Sequence, residues 1–212
     1  MTTTKKERFF KMLKERFAPD LMDLGFRGSG NVYFRVVSPR IDLVTLQSSR
    51  MGDKCCVNLG VHYEFLPVPG GGLITNPKAV REHHCEFRSR LRGPDKADLW
   101  WDYRPWFWML GRTGDQISRT FLEDGLPYFE QFEPYPDVFT AITPEQVSTG
   151  ALPMDAFHAS TAWRNGLMMA RIMQQLGRAE SAREFAEVGL QHVPEHSIAI
   201  RSELEELLAA LA

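Results

Sequence analysis

The sequence predicts an α+β fold: an N-terminal helix packed on an antiparallel sheet of about four strands, followed by a helical hairpin and one further helix. Three observations carry this. A capping-box pattern, Thr4-Lys5-Lys6-Glu7, stands before apolar residues at helical spacing. Between residues 32 and 91 the apolar period falls to two, and several connections are too short for helical crossovers. From residue 163 onward the helical period returns.

The elements follow in order. Phe10, Leu13, Phe17, Leu21 and Leu24 share a helical face, Pro19 predicts a kink or restart, and Gly25 supplies a stop. "LGFRGSGN" reads as the turn out of that helix. Val32, Phe34 and Val36 then alternate, as do "IDLVTLQ" and the Val57, Leu59, Val61, Tyr63 series, joined by "SPR" and "SRMGD". A fourth strand, "HHCEFRSRL", comes after "PVPGGGLITNP" (67–77), whose three glycines give it no means of holding one conformation. One sheet face carries the apolar set, and the other is expected to display Asn58, His62, Glu86, Arg88 and Arg90. "DQISRTFLEDGLPYFEQF" predicts a helix ending near Gly125 and a short second helix.

The proline and glycine density of 136–155 reads as a linker, which divides the chain into an α+β domain (1–135) and a helical appendage (156–212). In the appendage Trp163, Leu167, Ala170 and Met173 space one face, Ala182, Phe185, Ala186 and Gly189 a second, and Ile200, Leu204, Leu207 and Leu211 a third. Residues 163–196 resemble a single tetratricopeptide-type helical hairpin, with small residues at Ala170, Gly177, Ala182 and Gly189 and with Pro194 closing the second helix. Such units bury core only against neighbours, so this one is expected to lean on another surface.

Composition narrows the function. The net charge of −2 hides an asymmetry: residues 1–112 hold 19 Lys and Arg against 12 Asp and Glu, and residues 113–212 hold 6 against 15. Two oppositely charged halves, or a basic ligand-facing front, both follow from this. Three cysteines are too few for a disulfide framework, the start lacks the apolar region of a secretory signal, and no apolar run approaches a membrane span. A cytoplasmic location is the expectation.

Chemical motifs are sparse. Cys55 with Cys56, and His83 with His84, would point to opposite faces of a strand and so cannot readily grip one ion; no metal and no cofactor is expected. "GGGL" lacks the lysine and hydroxyl of a phosphate loop. Arg88 and Arg90 lie two apart, hence on one face, and form either an anion clamp or a solvated row that pairs with the acidic half. The stretch "WWDYRPWFWML" (100–110) holds four of five tryptophans. Each large ring hides about 150–250 Å² when buried. Some of these rings are read as core. The others form either a socket for the C-terminal helices or a groove in which Trp106, Trp108, Tyr103 and Arg104 hold a peptide or a base.

Several segments in order, "LKERFAPDLMDLGFRGSGNVYFRV", "LVTLQSSR", "CVNLGVH", "CEFRSRL", "DLWW" and "LPYFEQF", resemble the bacterial family known as domain of unknown function 4304 over roughly residues 5 to 132. The resemblance rests on Leu24-Gly25-Phe26, Gln47, Asn58-Leu59-Gly60, Arg88, Arg90, and Asp98 with Trp100-Trp101. It implies a bacterial cytoplasmic protein with a compact α+β domain and carries no catalytic residue over. The leading expectation is a non-enzymatic protein-interaction module that meets a protein partner or its own copy. The rival is a small-ligand binder or enzyme using Asn58, His62, Arg88 and Arg90 under the 67–77 loop; single-stranded nucleic-acid binding is weaker still.

Overall fold

The structure, a computed structural model, describes residues 4–68, 71–103, 109–154, 157 and 160–211. The chain divides into two units, Met1–Glu130 and Gln131–Ala212.

The first unit opens with α1 (Lys5–Asp23), whose capping box is formed: the Thr4 amide donates to Glu7 Oε2 at 2.7 Å and the Glu7 amide to Thr4 Oγ1 at 3.2 Å. The helix runs through Pro19 as one element. Its buried face carries Phe9, Met12, Leu13, Phe17, Ala18 and Leu21.

Six strands follow in one sheet: β1 (Arg27–Ser29), β2 (Val32–Val37), β3 (Arg40–Ser48), β4 (Lys54–Tyr63), β5 (Phe87–Arg90) and β6 (Trp101–Asp102). Strands β1 to β5 are neighbours in chain order, and β6 pairs with β4 beside β5; every pair is antiparallel. The expected four strands become six because two short ones carry too few alternating residues to announce themselves. "RGS", read as part of a turn, is β1, in register Gly28↔Tyr33. Gly28 makes this possible: its φ is +146°, and a Cβ there would stand 2.3 Å from the Val32 carbonyl oxygen.

One sheet face takes Val44, Leu46, Cys55, Val57, Leu59, Val61 and Tyr63 into a core with α1, α2 (Leu110–Thr120) and α3 (Leu126–Glu130), where Phe17 and Phe26 meet Phe121 at 5.6 and 6.0 Å. Between α2 and α3 the helix widens into a π turn, Phe121–Gly125, so the expected stop at Gly125 is a bulge in a continuing helix. A buried ion cluster also lies on this face. Asp42 accepts from Arg35 at 2.8 Å and pairs with Arg40 at 2.8 Å, while those arginines also donate to the Leu24 and Phe129 carbonyls.

The opposite face departs from expectation. Every residue of β4 after Lys54 is buried, so Asn58 and His62 are covered rather than displayed, while Glu86 and Arg90 are half-buried and Arg88 is exposed. The cover is the connection between β4 and β5, whose Ile74, Val80 and Cys85 pack on Ile41 and Leu43, with Val32 and Phe34 at the margin. Cys85 reaches the sheet because residue 60 is glycine: a Cβ there would lie 2.6 Å from its sulfur.

The second unit is helical. Residues 136–155, read as a linker, include α4 (Asp137–Thr140) and α5 (Pro144–Thr149), the latter started by a Thr143–Gln146 capping box with Pro144 in the first turn. Helices α6 (Ala162–Gln175), α7 (Ala179–His192) and α8 (Ile198–Ala210) follow the expected segments closely. Gly166 and Gly189 bring α6 and α7 together, since a Cβ on Gly166 would meet the Gly189 Cα at 2.8 Å. No helix among the described residues is long and apolar enough to cross a membrane.

Candidate functional site

Antiparallel register places the anticipated polar residues together: Asn58 stands opposite Arg90 and Gly60 opposite Arg88. They resolve into two knots. In the first, Asn58 Nδ2 donates to Gln47 Oε1 at 2.6 Å and to Glu82 Oε2 at 2.7 Å, while its Oδ1 accepts from Arg90 Nε at 3.0 Å. Arg90 continues to Asp98 at 2.5 Å, with its guanidinium carbon 4.8 Å from the Trp100 ring centroid. In the second knot, His62 Nδ1 lies 2.9 Å from Glu86 Oε1, and Glu86 Oε2 accepts the Tyr63 amide at 3.3 Å. Burial pushes the Glu86 carboxyl upward against the opposing pull of His62. His62 is fully buried, and its Nε2 has no hydrogen-bond partner among the described residues. Arg88 belongs to neither knot and is exposed. The proposed arginine clamp is therefore divided, with Arg90 committed to Asn58 and Asp98.

The described part of the aromatic stretch is divided, with Trp100 exposed beside Arg90 and with Trp101 and Tyr103 packed into the unit. Trp101 is buried on β6, and Tyr103 is 4% exposed, with its hydroxyl donating to Ser48 Oγ at 2.8 Å and its ring 5.1 Å from Phe9. Arg104, Trp106 and Trp108 lie outside the described residues.

His83 and His84 stand on a one-turn 3₁₀ helix (Glu82–His84) rather than on a strand, with ring centroids 4.1 Å apart. The strand starts only at Phe87, because the chain must first turn to lay Cys85 over Gly60. His84 Nδ1 accepts the Arg81 amide at 3.1 Å and so is unprotonated there. Its pKa is lowered by burial and by the neighbouring His83, His62 and Arg81. No group of three or more His, Cys, Asp or Glu that could hold a metal ion occurs among the described residues. The thiols are quiescent: burial chiefly pushes Cys55 up to about 12, Cys56 up to about 11, and Cys85 well above the ordinary value.

A different feature opens beside these knots. Where the covering segment stops short of the sheet edge, a groove of about 1240 Å³ runs between the β1–β2 hairpin and residues 76–83. Val32, Phe34 and Val36 form its floor, two residues apart on one face of β2. Arg27 stands on one wall, Lys78 and Arg81 on the other, and Glu82 and His83 complete the second wall. Arg81 is held in place by its Nη1, which donates to the Lys78 and Val80 carbonyls at 2.8 Å each. Glu82, through its bond to Asn58, ties this wall to the polar knot. Sequence reasoning missed Arg27, which sat in a segment read as a turn, and Lys78 and Arg81, which sat between the 67–77 excursion and the expected fourth strand, where no element was read. The available signal was the alternation of Val32, Phe34 and Val36 with no helix left in the front half to cover it.

The sequence model of the family described as Domain of unknown function (DUF4304) matches residues 17–131. The chain belongs to that family. The DUF4304 match spans all six strands, both polar knots and the whole groove, while α4 to α8 fall outside it. No curated protein and no solved structure matches the chain. The groove is thus a property of the DUF4304 part of the molecule.

Proposed function

We propose that the DUF4304 domain is a non-catalytic protein-interaction module that seats an extended segment of a partner protein along β2. One observation carries the reading: a groove of about 1240 Å³ whose floor is three apolar side chains at strand spacing, with Val36 46% exposed. Small-molecule pockets run about 300–1,000 Å³ and enclose most of their ligand. An open trough larger than that, with a period-two floor, fits the alternate side chains of an extended chain. Most of the polar row of the rival reading is engaged within itself, with Asn58 hydrogen-bonded to Gln47, Glu82 and Arg90 and the buried His62 tied to Glu86, which leaves the exposed Arg88 alone outside both knots. The three thiols, buried and unpaired, fit a reducing compartment such as the cytoplasm, which is part of the proposal.

A displayed library of random peptides, selected against the full chain, tests this. Enrichment of sequences with apolar residues two apart, abolished by Val36→Asp, is the expected result. Val36 is half open to solvent, so the substitution leaves the fold intact by circular dichroism. Enrichment that survives Val36→Asp, or no enrichment, overturns the module reading.

A further inference from the structure

We infer that the segment this groove takes is acidic, its carboxylates meeting Arg27, Lys78 and Arg81 while its apolar side chains rest on Val32, Phe34 and Val36. The inference rests on the module reading above and adds the class of partner. Its basis is an imbalance of charge at the groove. Arg16, Arg35, Arg40, Arg90 and Arg92 of the same unit each meet a carboxylate (Asp115, Asp42, Asp42, Asp98 and Asp124), and those that meet none among the described residues, such as Arg8, Arg50 and Arg88, are scattered over exposed surface rather than gathered around one trough. The cations of the groove meet none among the described residues, although they stand on both of its walls. Glu82, the single carboxylate in the lining, has one of its oxygens engaged by the Asn58 amide on the sheet.

Placement matters as much as count. Arg81 cannot swing freely, because its Nη1 is bonded to two backbone carbonyls and its amide to His84. A guanidinium fixed before binding loses less side-chain entropy on meeting a carboxylate than a free one does. Cations on both walls of a trough also select against a basic segment, which would bring like charges together. A single-stranded nucleic acid would need flat rings open to its bases, and the lining supplies Phe34, turned into the floor, and the small imidazole of His83, already packed edge-on against His84 at 4.1 Å. Acidic side chains alternating with apolar ones match both the walls and the floor.

The test is fluorescence anisotropy of the full chain with three fluorescein-labelled heptapeptides, Glu-Val-Glu-Phe-Glu-Val-Glu and the counterparts carrying serine or lysine in place of glutamate, and a labelled oligothymidine. The glutamate peptide is expected to bind at least about tenfold more tightly than the serine one, to weaken as salt rises, and to lose about tenfold in Arg27→Glu/Lys78→Glu. Circular dichroism of that variant checks its fold, and Arg27→Lys/Lys78→Arg is expected to retain binding. Equal affinity for the serine and glutamate peptides overturns the acidic inference and leaves the module reading standing. Failure of all three peptides overturns both. Tighter binding of the oligothymidine, or glutamate binding untouched by the charge reversals, also overturns the inference.

Discussion

Substituting Gly60 by alanine probes the packing that creates the groove. An added Cβ would lie 2.6 Å from Cys85 Sγ and 3.1 Å from Cys85 Cβ, with Leu43 Cβ at 3.5 Å closing the other side. To regain ordinary contact the sulfur must retreat by roughly 0.8 Å. It is not free to do so, because the Cys85 amide donates to the Glu82 carbonyl at 3.1 Å and its thiol faces the Arg81 carbonyl at 3.6 Å. Overpacking of this kind costs about 1–3 kcal/mol. Cys85→Ala removes the offending sulfur at a cost of roughly 1 kcal/mol for the space it leaves. In that background Gly60→Ala should cost far less, giving a coupling of about 1–2 kcal/mol in the double-mutant cycle. Urea titrations of the four proteins, followed by far-UV circular dichroism, measure it. Additive effects, or a Gly60→Ala variant as stable as the parent, would refute the claim that this segment is pressed onto the sheet.

Three further outcomes are expected. Asp42→Ala leaves Arg40, 3% exposed, without its carboxylate, and should cost about 3–5 kcal/mol in the same titration; a loss below about 1 kcal/mol would contradict the cluster's structural role. His84 has a depressed folded pKa, so the unfolded chain takes up its proton first. Its contribution is complete above the ordinary value of 6.5 and is lost as pH falls through the lower folded value. The stability difference between the parent and His84→Asn should therefore shrink as pH drops below 6.5, and a difference that grows would reverse the assignment. With burial holding Cys55 near 12 and Cys56 near 11, an aromatic disulfide reagent at pH 8 should find no reactive thiol in the native protein, and three after unfolding. Rapid native reaction would show that the sheet core is open.

How much of this was legible in the sequence depends on the residue. Thr4 and Glu7 announce α1, the Val57 to Tyr63 alternation announces β4, and the Asn58, His62, Glu86, Arg88 and Arg90 row falls on one face because antiparallel register demands it. The burial of Asn58 and His62 within that row was not legible. Alternation tells which residues share a face but not whether a chain segment later returns to cover it, and the return here hinges on one small residue, Gly60. The groove was hidden for a related reason. Its walls come from Arg27 and from Lys78 with Arg81, about fifty residues apart in segments without periodicity, and only the fold brings them opposite each other. Tyr103 went the other way: its place in an aromatic run suggested recognition, whereas the structure spends it on Phe9 and Ser48.

Backbone hydrogen exchange of the full chain, with and without the glutamate heptapeptide, tests the central claim most directly. Seating along β2 predicts slowed exchange in residues 27–36 and 76–83, and little change in α6 to α8. Protection confined to the C-terminal helices, or spread over the molecule with the groove unaffected, would contradict the account.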